Sequence, residues 1–192
     1  MKKLIFLGVM AAVLGAASCG DNNNTANEQK VKDSLERASG RDMYIKAVTD
    51  AEAAIKASKQ FDSKLALAGI KAYSDFIALY PKDSLTPEYL LRAADLSRGT
   101  GNYQQAAIYL EQIMENHKGY PRYADACLMA ALNYDDHLEH TKDGTERARI
   151  IYQYLIDKYP NTTYAENAKV LIQYLGKPDS LMINDIIQKG GK

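Results

Sequence analysis

From about Lys30 onward, apolar residues recur at intervals of three and four. Met43, Ala47, Val48, Ala51, Ala54, Ile55 and Ser58 follow that spacing, and Leu65, Leu67, Ala68, Ala72, Phe76, Ile77 and Tyr80 repeat it. Such spacing places apolar side chains on one face of an α-helix. No run of strict alternation reaches the length of a strand. The pattern predicts an all-α domain.

The helical pattern itself repeats. GIKAYSDFIALYP (Gly69 to Pro81), AAIYLEQIMENHK (Ala106 to Lys118) and ARIIYQYLIDKYP (Ala148 to Pro160) align. A small residue heads each: Gly69, Ala106 and Ala148. Tyr73, Leu110 and Tyr152 come four residues later, and Phe76, Ile113 and Leu155 three beyond those. A second set interleaves with the first: PEYLLRAADL from Pro87, ADACLMAALN from Ala124 and AENAKVLIQY from Ala165. The first set recurs after 37 and then 42 positions, the second after 37 and then 41. A single helical hairpin cannot bury its apolar face alone. Stacked hairpins can, and small residues let adjacent helices approach closely.

These residues resemble the tetratricopeptide repeat over about residues 43 to 176. The turn Gly101-Asn102-Tyr103 with Ala106 behind it carries the resemblance, as do the endings Tyr80-Pro81 and Tyr159-Pro160, where Pro halts a helix. The resemblance implies a right-handed solenoid of helical hairpins, an α-α superhelix. The Tyr-Pro endings and the N-terminus are also similar to periplasmic repeat proteins of Gram-negative envelopes. Those include the BamD-type lipoprotein of outer-membrane protein assembly and the YbgF-type protein of the Tol–Pal system. The chain is shorter than the first and lacks the coiled-coil start of the second.

Two departures from a regular repeat stand out. Gly119-Tyr120-Pro121 follows Asn116-His117-Lys118, and about five extra residues fall around Asp135 to Asp143. Insertions in solenoids form loops, often on a functional rim. Gly176-Lys177-Pro178 ends a helix, and Leu181, Met182, Ile183, Ile186 and Ile187 predict a short final helix that caps the stack. Partner docking is the alternative use of that helix.

The N-terminus follows a different logic. Met1, Lys2 and Lys3 precede an apolar run from Leu4 to Ala17, which closes on small residues and Cys19. The run is too short for a membrane span and reads as a secretory leader. The cysteine after small residues resembles the lipobox of bacterial lipoproteins. That family places Leu three residues before the cysteine, where this chain has Ala16. The resemblance implies diacylglycerol on the Cys19 thiol and cleavage before it. The alternative is an ordinary cleaved leader and a soluble product. Gly20 to Asn27, GDNNNTAN, is polar and aperiodic, as a flexible linker would be. The divisions expected are a leader over 1–18, an anchor and flexible tether over 19–41, a repeat domain over 42–176 and a cap over 177–192.

Composition narrows the function. The 192 residues carry 24 basic and 24 acidic side chains. Loss of Lys2 and Lys3 with the leader leaves a slight acidic excess, which does not suit a nucleic-acid partner. Of the two cysteines, an acylated Cys19 leaves Cys127 alone, in the apolar stretch Ala126 to Ala131, where it reads as a small buried hydrophobe. No glycine-rich phosphate loop, G-x-S-x-G elbow or HExxH motif is present. The sequence therefore predicts neither an enzyme nor a cofactor, and no small-molecule substrate.

Asp135-Asp136-His137-Leu138-Glu139-His140 offers metal-ligating side chains, with two histidines three apart. A solvated turn is the competing reading, and a metal-binding periplasmic protein is the alternative function. His117, at a helix end, reads as a cation complementing the helix dipole. Fourteen tyrosines with no tryptophan suit packing or partner contact. Tyr73 and Tyr152 read as core, Tyr89, Tyr120 and Tyr123 as partly exposed. Asp33-Ser34-Leu35, Asp83-Ser84-Leu85 and Asp179-Ser180-Leu181 resemble an O-glycosylation motif of exported Bacteroidota proteins and equally suit helix capping. Asn161-Thr162-Thr163 is a formal N-glycosylation sequon, idle in an exported bacterial protein.

In tetratricopeptide domains the first helix of each hairpin lines a concave groove. Carried over, those positions are Glu88, Leu91, Asp95 and Arg98, then Asp125, Leu128, Leu132 and Asp135, then Glu166, Lys169 and Gln173. The resemblance implies a face with Leu at its centre and acids around it, suited to a protein or peptide with apolar anchors and some basic character. The sequence as a whole predicts a lipid-anchored outer-membrane scaffold facing the periplasm.

Overall fold

The computed structural model describes residues 22–190. The expected leader and the lipidation site Cys19 lie outside them. The described residues form α1 (Asn22–Ala57), α2 (Ser63–Leu79), α3 (Thr86–Gly99), α4 (Tyr103–Asn116), α5 (Tyr123–His137), α6 (Gly144–Lys158), α7 (Thr163–Tyr174) and α8 (Asp179–Gly190), with no strand among them. The chain divides into two compact units, Met1–Ser39 and Gly40–Lys192.

The first unit is helical from Asn22. The aperiodic stretch up to Asn27, expected as a flexible linker, is helical from Asn22, and α1 runs on past residue 41. Glu28 to Arg37 is rich in Glu, Gln, Lys, Leu and Arg, all good helix formers. The lack of an apolar face removes a reason to pack, not the ability to coil into a helix.

The second unit is a stack of hairpins. From α2 to α7 each helix packs on the next in sequence, and α5 also touches α7. The aligned repeat positions coincide structurally. Ala106, Ala148, Tyr73, Leu110, Tyr152, Phe76, Ile113 and Leu155 are all buried, and Gly69 is buried with them. A Cβ on Gly69 would meet Ile55 Cδ1 and Leu96 Cδ1 at 2.9 Å, so α1, α2 and α3 close around a residue without a side chain. Each second helix ends alike. The backbone N–H groups of Tyr80, His117 and Tyr159 donate to the carbonyls of Phe76, Ile113 and Leu155 at 2.9, 2.9 and 3.0 Å.

The turns follow their residues. Asp62 caps α2, its Oδ1 accepting from the N–H groups of Lys64 and Leu65 at 2.8 and 3.2 Å. Asn102 caps α4 through Gln105 N–H at 3.3 Å, just after Gly101 turns the chain at φ 77°. Asp83 accepts from Leu85 N–H at 2.9 Å and from Arg41 Nε at 2.6 Å, so the second Asp-Ser-Leu tripeptide pins α1 to the turn before α3. Gly176, at φ 71°, ends α7 as expected.

The insertion sits later than expected. Asp135 to His137 complete the last turn of α5, and the extra chain is the turn from Leu138 to Asp143. Leu138 is buried as its plug. Thr141 Oγ1 donates to the Leu138 carbonyl at 2.6 Å. A Cβ on Gly144 would stand 1.8 Å from that same carbonyl oxygen, so only glycine fits.

Candidate functional site

The exposed side of the first helices is held by a continuous polar chain. Tyr73 OH donates to Glu52 of α1 at 2.7 Å. Arg92 of α3 reaches Glu52 at 3.0 Å and Glu88 at 2.7 Å. Tyr120, before α5, donates to Glu88. Arg122 lies 3.6 Å from Glu88 and donates to Asp125 of α5 at 3.1 Å. Tyr164 of α7 donates to Asp125 at 2.5 Å. The chain thus crosses α1, α3, α5 and α7 with acids and arginines in turn.

The expected groove residues divide into three groups. Glu88 and Asp125 belong to this chain. Burial opposes charge on Glu88, but bonds from Tyr120 and Arg92 outweigh it and hold its carboxyl below the usual range. Asp95 is exposed by area yet crowded by protein. Desolvation pushes its carboxyl up against the pull of Arg98 and Arg122. Arg98 is half-buried. Leu128 and Leu132 are half-buried, and Glu166, Lys169 and Gln173 are exposed on α7. Asp135 accepts from Tyr152 OH at 3.1 Å. Leu91 is a correction. It is fully buried with Leu90, Ala93 and Ala94, because α3 is packed between α2 and α4. It cannot touch a partner. Arg92 and Arg122 add cations to the face and pair with Glu52, Glu88 and Asp125. Those arginines, Glu52 and Tyr164 were not singled out from sequence, and Tyr120 was read only as partly exposed. Two signals existed: the Glu88/Arg92 spacing of four and the Arg122/Asp125 spacing of three.

The tyrosines share one use. Besides Tyr73, Tyr120, Tyr152 and Tyr164, Tyr134 of α5 donates to Glu111 of α4 at 2.6 Å, and Tyr174 of α7 donates to Asp185 of α8. Each bond links different helices or a helix and a turn. Burial first, then the carboxylate neighbour, pushes Tyr73 and Tyr134 up, Tyr134 to about 12. Tyr152 is pushed up by burial and by Asp135. Tyr89 and Tyr123, expected as partly exposed, are buried.

The metal reading loses its geometry. His137 stacks on Tyr103 with ring centroids 3.7 Å apart, Asp135 faces Tyr152, and His140 is exposed beyond the end of α5. Among the described residues no three His, Cys, Asp or Glu side chains converge as metal ligands. His117 caps α4, and burial lowers its imidazole below the ordinary value. That shift works against the cation expected there. Cys127 is fully buried, and burial pushes its thiol up to about 11, so it is no nucleophile.

A concave surface lies between α4 and α6. One cleft of about 490 Å³ has Met114, Tyr134, Ile150 and Ile151 as its apolar lining, with Glu111, Glu115, Asp143 and Glu146 around them. An adjoining cleft of about 310 Å³ is bounded by Ile108 and by Thr141, Lys142 and Asp143 of the inserted turn. Arg147 separates the two. It pairs with Glu111 and lies 5.5 Å over the Tyr134 ring.

Residues 88–119, which span most of α3, α4 and the turn after it, match the tetratricopeptide repeat family. No curated protein and no solved structure matches the chain. With the recurring hairpins around this segment, the fold is a tetratricopeptide-type helical-hairpin solenoid. Such repeats bind proteins or peptides and typically have no catalytic role.

Proposed function

We propose that this tetratricopeptide-type stack is a membrane-anchored periplasmic scaffold that captures a protein partner on the face of its first helices. The observation that supports it most is the polar chain across α1, α3, α5 and α7. By joining Glu52, Arg92, Glu88, Arg122, Asp125 and Tyr164, it fixes side chains before a partner arrives and lowers the ordering cost of binding. Leu128 and Leu132 supply the apolar part of the same face. The surface is then read by its pattern of charge, because Glu52, Glu88 and Asp125 each already have a cation and a hydroxyl.

The anchor in this proposal is acylated Cys19 in the outer membrane. One acyl chain holds a protein only marginally, so stable attachment needs several. No described helix is long and apolar enough to cross a membrane. A role in envelope or outer-membrane protein assembly follows from the N-terminal resemblance.

The experiment is photo-crosslinking in intact cells. A crosslinking amino acid replaces Lys169 or Gln173 on the first-helix face, or Lys71 on α2 as a control; all three are exposed. The expected result is one protein captured from Lys169 and Gln173 and not from Lys71, from a membrane-bound chain that becomes soluble as Cys19→Ala. Capture from all three positions alike would remove the face from the proposal. A wild-type mature chain without acyl mass would remove the anchor.

A further inference from the structure

The groove between α4 and α6 lies outside the first-helix face, and its chemistry is different. It has an apolar floor and an acidic rim. Ile150 is 59% exposed and Ile108 47%, large side chains left in water on two neighbouring helices. Met114 is half-buried beside them, and Tyr134 and Ile151 are buried at the base. Four carboxylates line the larger cleft, with Arg147 as its single cation. Arg147 is already paired with Glu111. Glu146 has only Arg149, outside the lining, at 3.4 Å. The rim of the larger cleft therefore keeps a net negative charge.

The inserted turn builds one wall of this groove. Asp143 lines both clefts, and Thr141 and Lys142 line the smaller. Its conformation is fixed by buried Leu138, by the Thr141 hydroxyl and by Gly144. The insertion that interrupts the repeat period is thus ordered against α4 and α6, with its acid facing the apolar floor.

We propose that this groove is a second docking site, and that its occupant is a short cationic peptide segment of a partner protein. An apolar side chain of the segment enters between Met114, Tyr134 and Ile150, while flanking Lys or Arg residues meet Glu115, Asp143 and Glu146. Charge complementarity selects a cationic segment, since an acidic one would face the same rim with repulsion. A chain with two such faces holds two partners at once.

The probe is a fluorescein-labelled decapeptide of Lys and Leu in an amphipathic helical pattern. A Glu-for-Lys version is the control, and both are titrated into the full mature chain and followed by anisotropy. Saturable binding of the Lys peptide alone is expected. Ile150→Lys should weaken it about tenfold or more, the equivalent of about 1.4 kcal/mol. Glu115→Lys with Glu146→Lys should weaken it further and flatten its salt dependence. Glu166→Lys on α7 should leave it unchanged. Ile150, Glu115, Glu146 and Glu166 are all exposed, and unchanged circular dichroism confirms the fold in each variant. Equal binding of both peptides, no saturable binding, full affinity in Ile150→Lys, or loss on Glu166→Lys would each overturn the proposal. None of these outcomes bears on crosslinking from Lys169 and Gln173.

Discussion

Replacing Tyr152 with Phe tests whether tyrosine–carboxylate bonds hold this stack together. The ring of Tyr152 is fully buried on α6, and its hydroxyl reaches Asp135 of α5 at 3.1 Å. The substitution keeps the packed ring and removes one hydroxyl. A hydrogen bond to a charged group contributes about 1.5–3 kcal/mol net. Asp135 is half-buried, so water recovers part of the loss. The low end, about 1.5 kcal/mol, is expected. For a chain of this size each kcal/mol moves Tm by about 2–4 °C, which gives a drop of about 3–6 °C. The internal control is Tyr109→Phe. Tyr109 is also buried, but its hydroxyl pairs with the neutral Ser74 hydroxyl at 2.7 Å, so about 0.5–1 kcal/mol is expected there. Urea unfolding followed by circular dichroism reads both. A double-mutant cycle with Asp135→Ala isolates the pair, with coupling of about 1 kcal/mol expected. The reasoning fails if Tyr152→Phe costs no more than Tyr109→Phe, or if the coupling is below about 0.3 kcal/mol.

Two further outcomes follow from local geometry. Gly144→Ala forces a Cβ to 1.8 Å from the Leu138 carbonyl oxygen. Because backbone must move, a cost of about 3 kcal/mol is expected in urea unfolding, against about zero for Gly119→Ala, whose Cβ meets nothing within 4 Å. Alkaline stability depends on Tyr134, raised to about 12 in the fold and near 10 when unfolded. Its contribution is complete below about pH 10, because both states are then protonated. Above that the unfolded chain loses the proton first, and stability falls until the folded value is passed. Urea midpoints between pH 8 and 11.5 should fall for the wild type and less steeply for Tyr134→Phe; parallel slopes would exclude this group.

The repeat register was legible because packing repeats residue by residue. Gly69, Ala106 and Ala148 stand where helices approach, and Phe76, Ile113 and Leu155 where each second helix is sealed. What escaped the sequence depends on how many neighbours a helix has. Periodicity marks apolar residues, not covered ones. Leu67 and Met43 fit the period and lie 57% and 61% exposed, while Ala66 does the packing. Leu91 fails for the opposite reason. A position copied from a family's groove assumes an open side, and α3 is closed by neighbours on two sides. The polar chain was hidden because its links join residues up to 40 apart, such as Arg92 and Glu52. The partners of Asp135 and His137, Tyr152 and Tyr103, could not be foreseen either, since a six-residue string does not say where its helix stops.

The two surfaces differ in what the fold has already done with their charges. On the first helices, Arg92 and Arg122 stand between Glu52, Glu88 and Asp125, so attraction is spent within the chain and what remains outward is shape and pattern. A partner there replaces bonds already made, which favours selectivity over strength. Between α4 and α6 the carboxylates outnumber the cation, and isoleucine stays in water beside them. A partner there gains apolar burial and unspent charge together, so its affinity should fall with salt while capture on the other face changes less. Tyrosine makes this division possible. Its hydroxyl satisfies Glu52, Glu88, Glu111, Asp125 and Asp135 from inside the stack without adding positive charge. Phenylalanine in these places would leave the acids with one bond fewer.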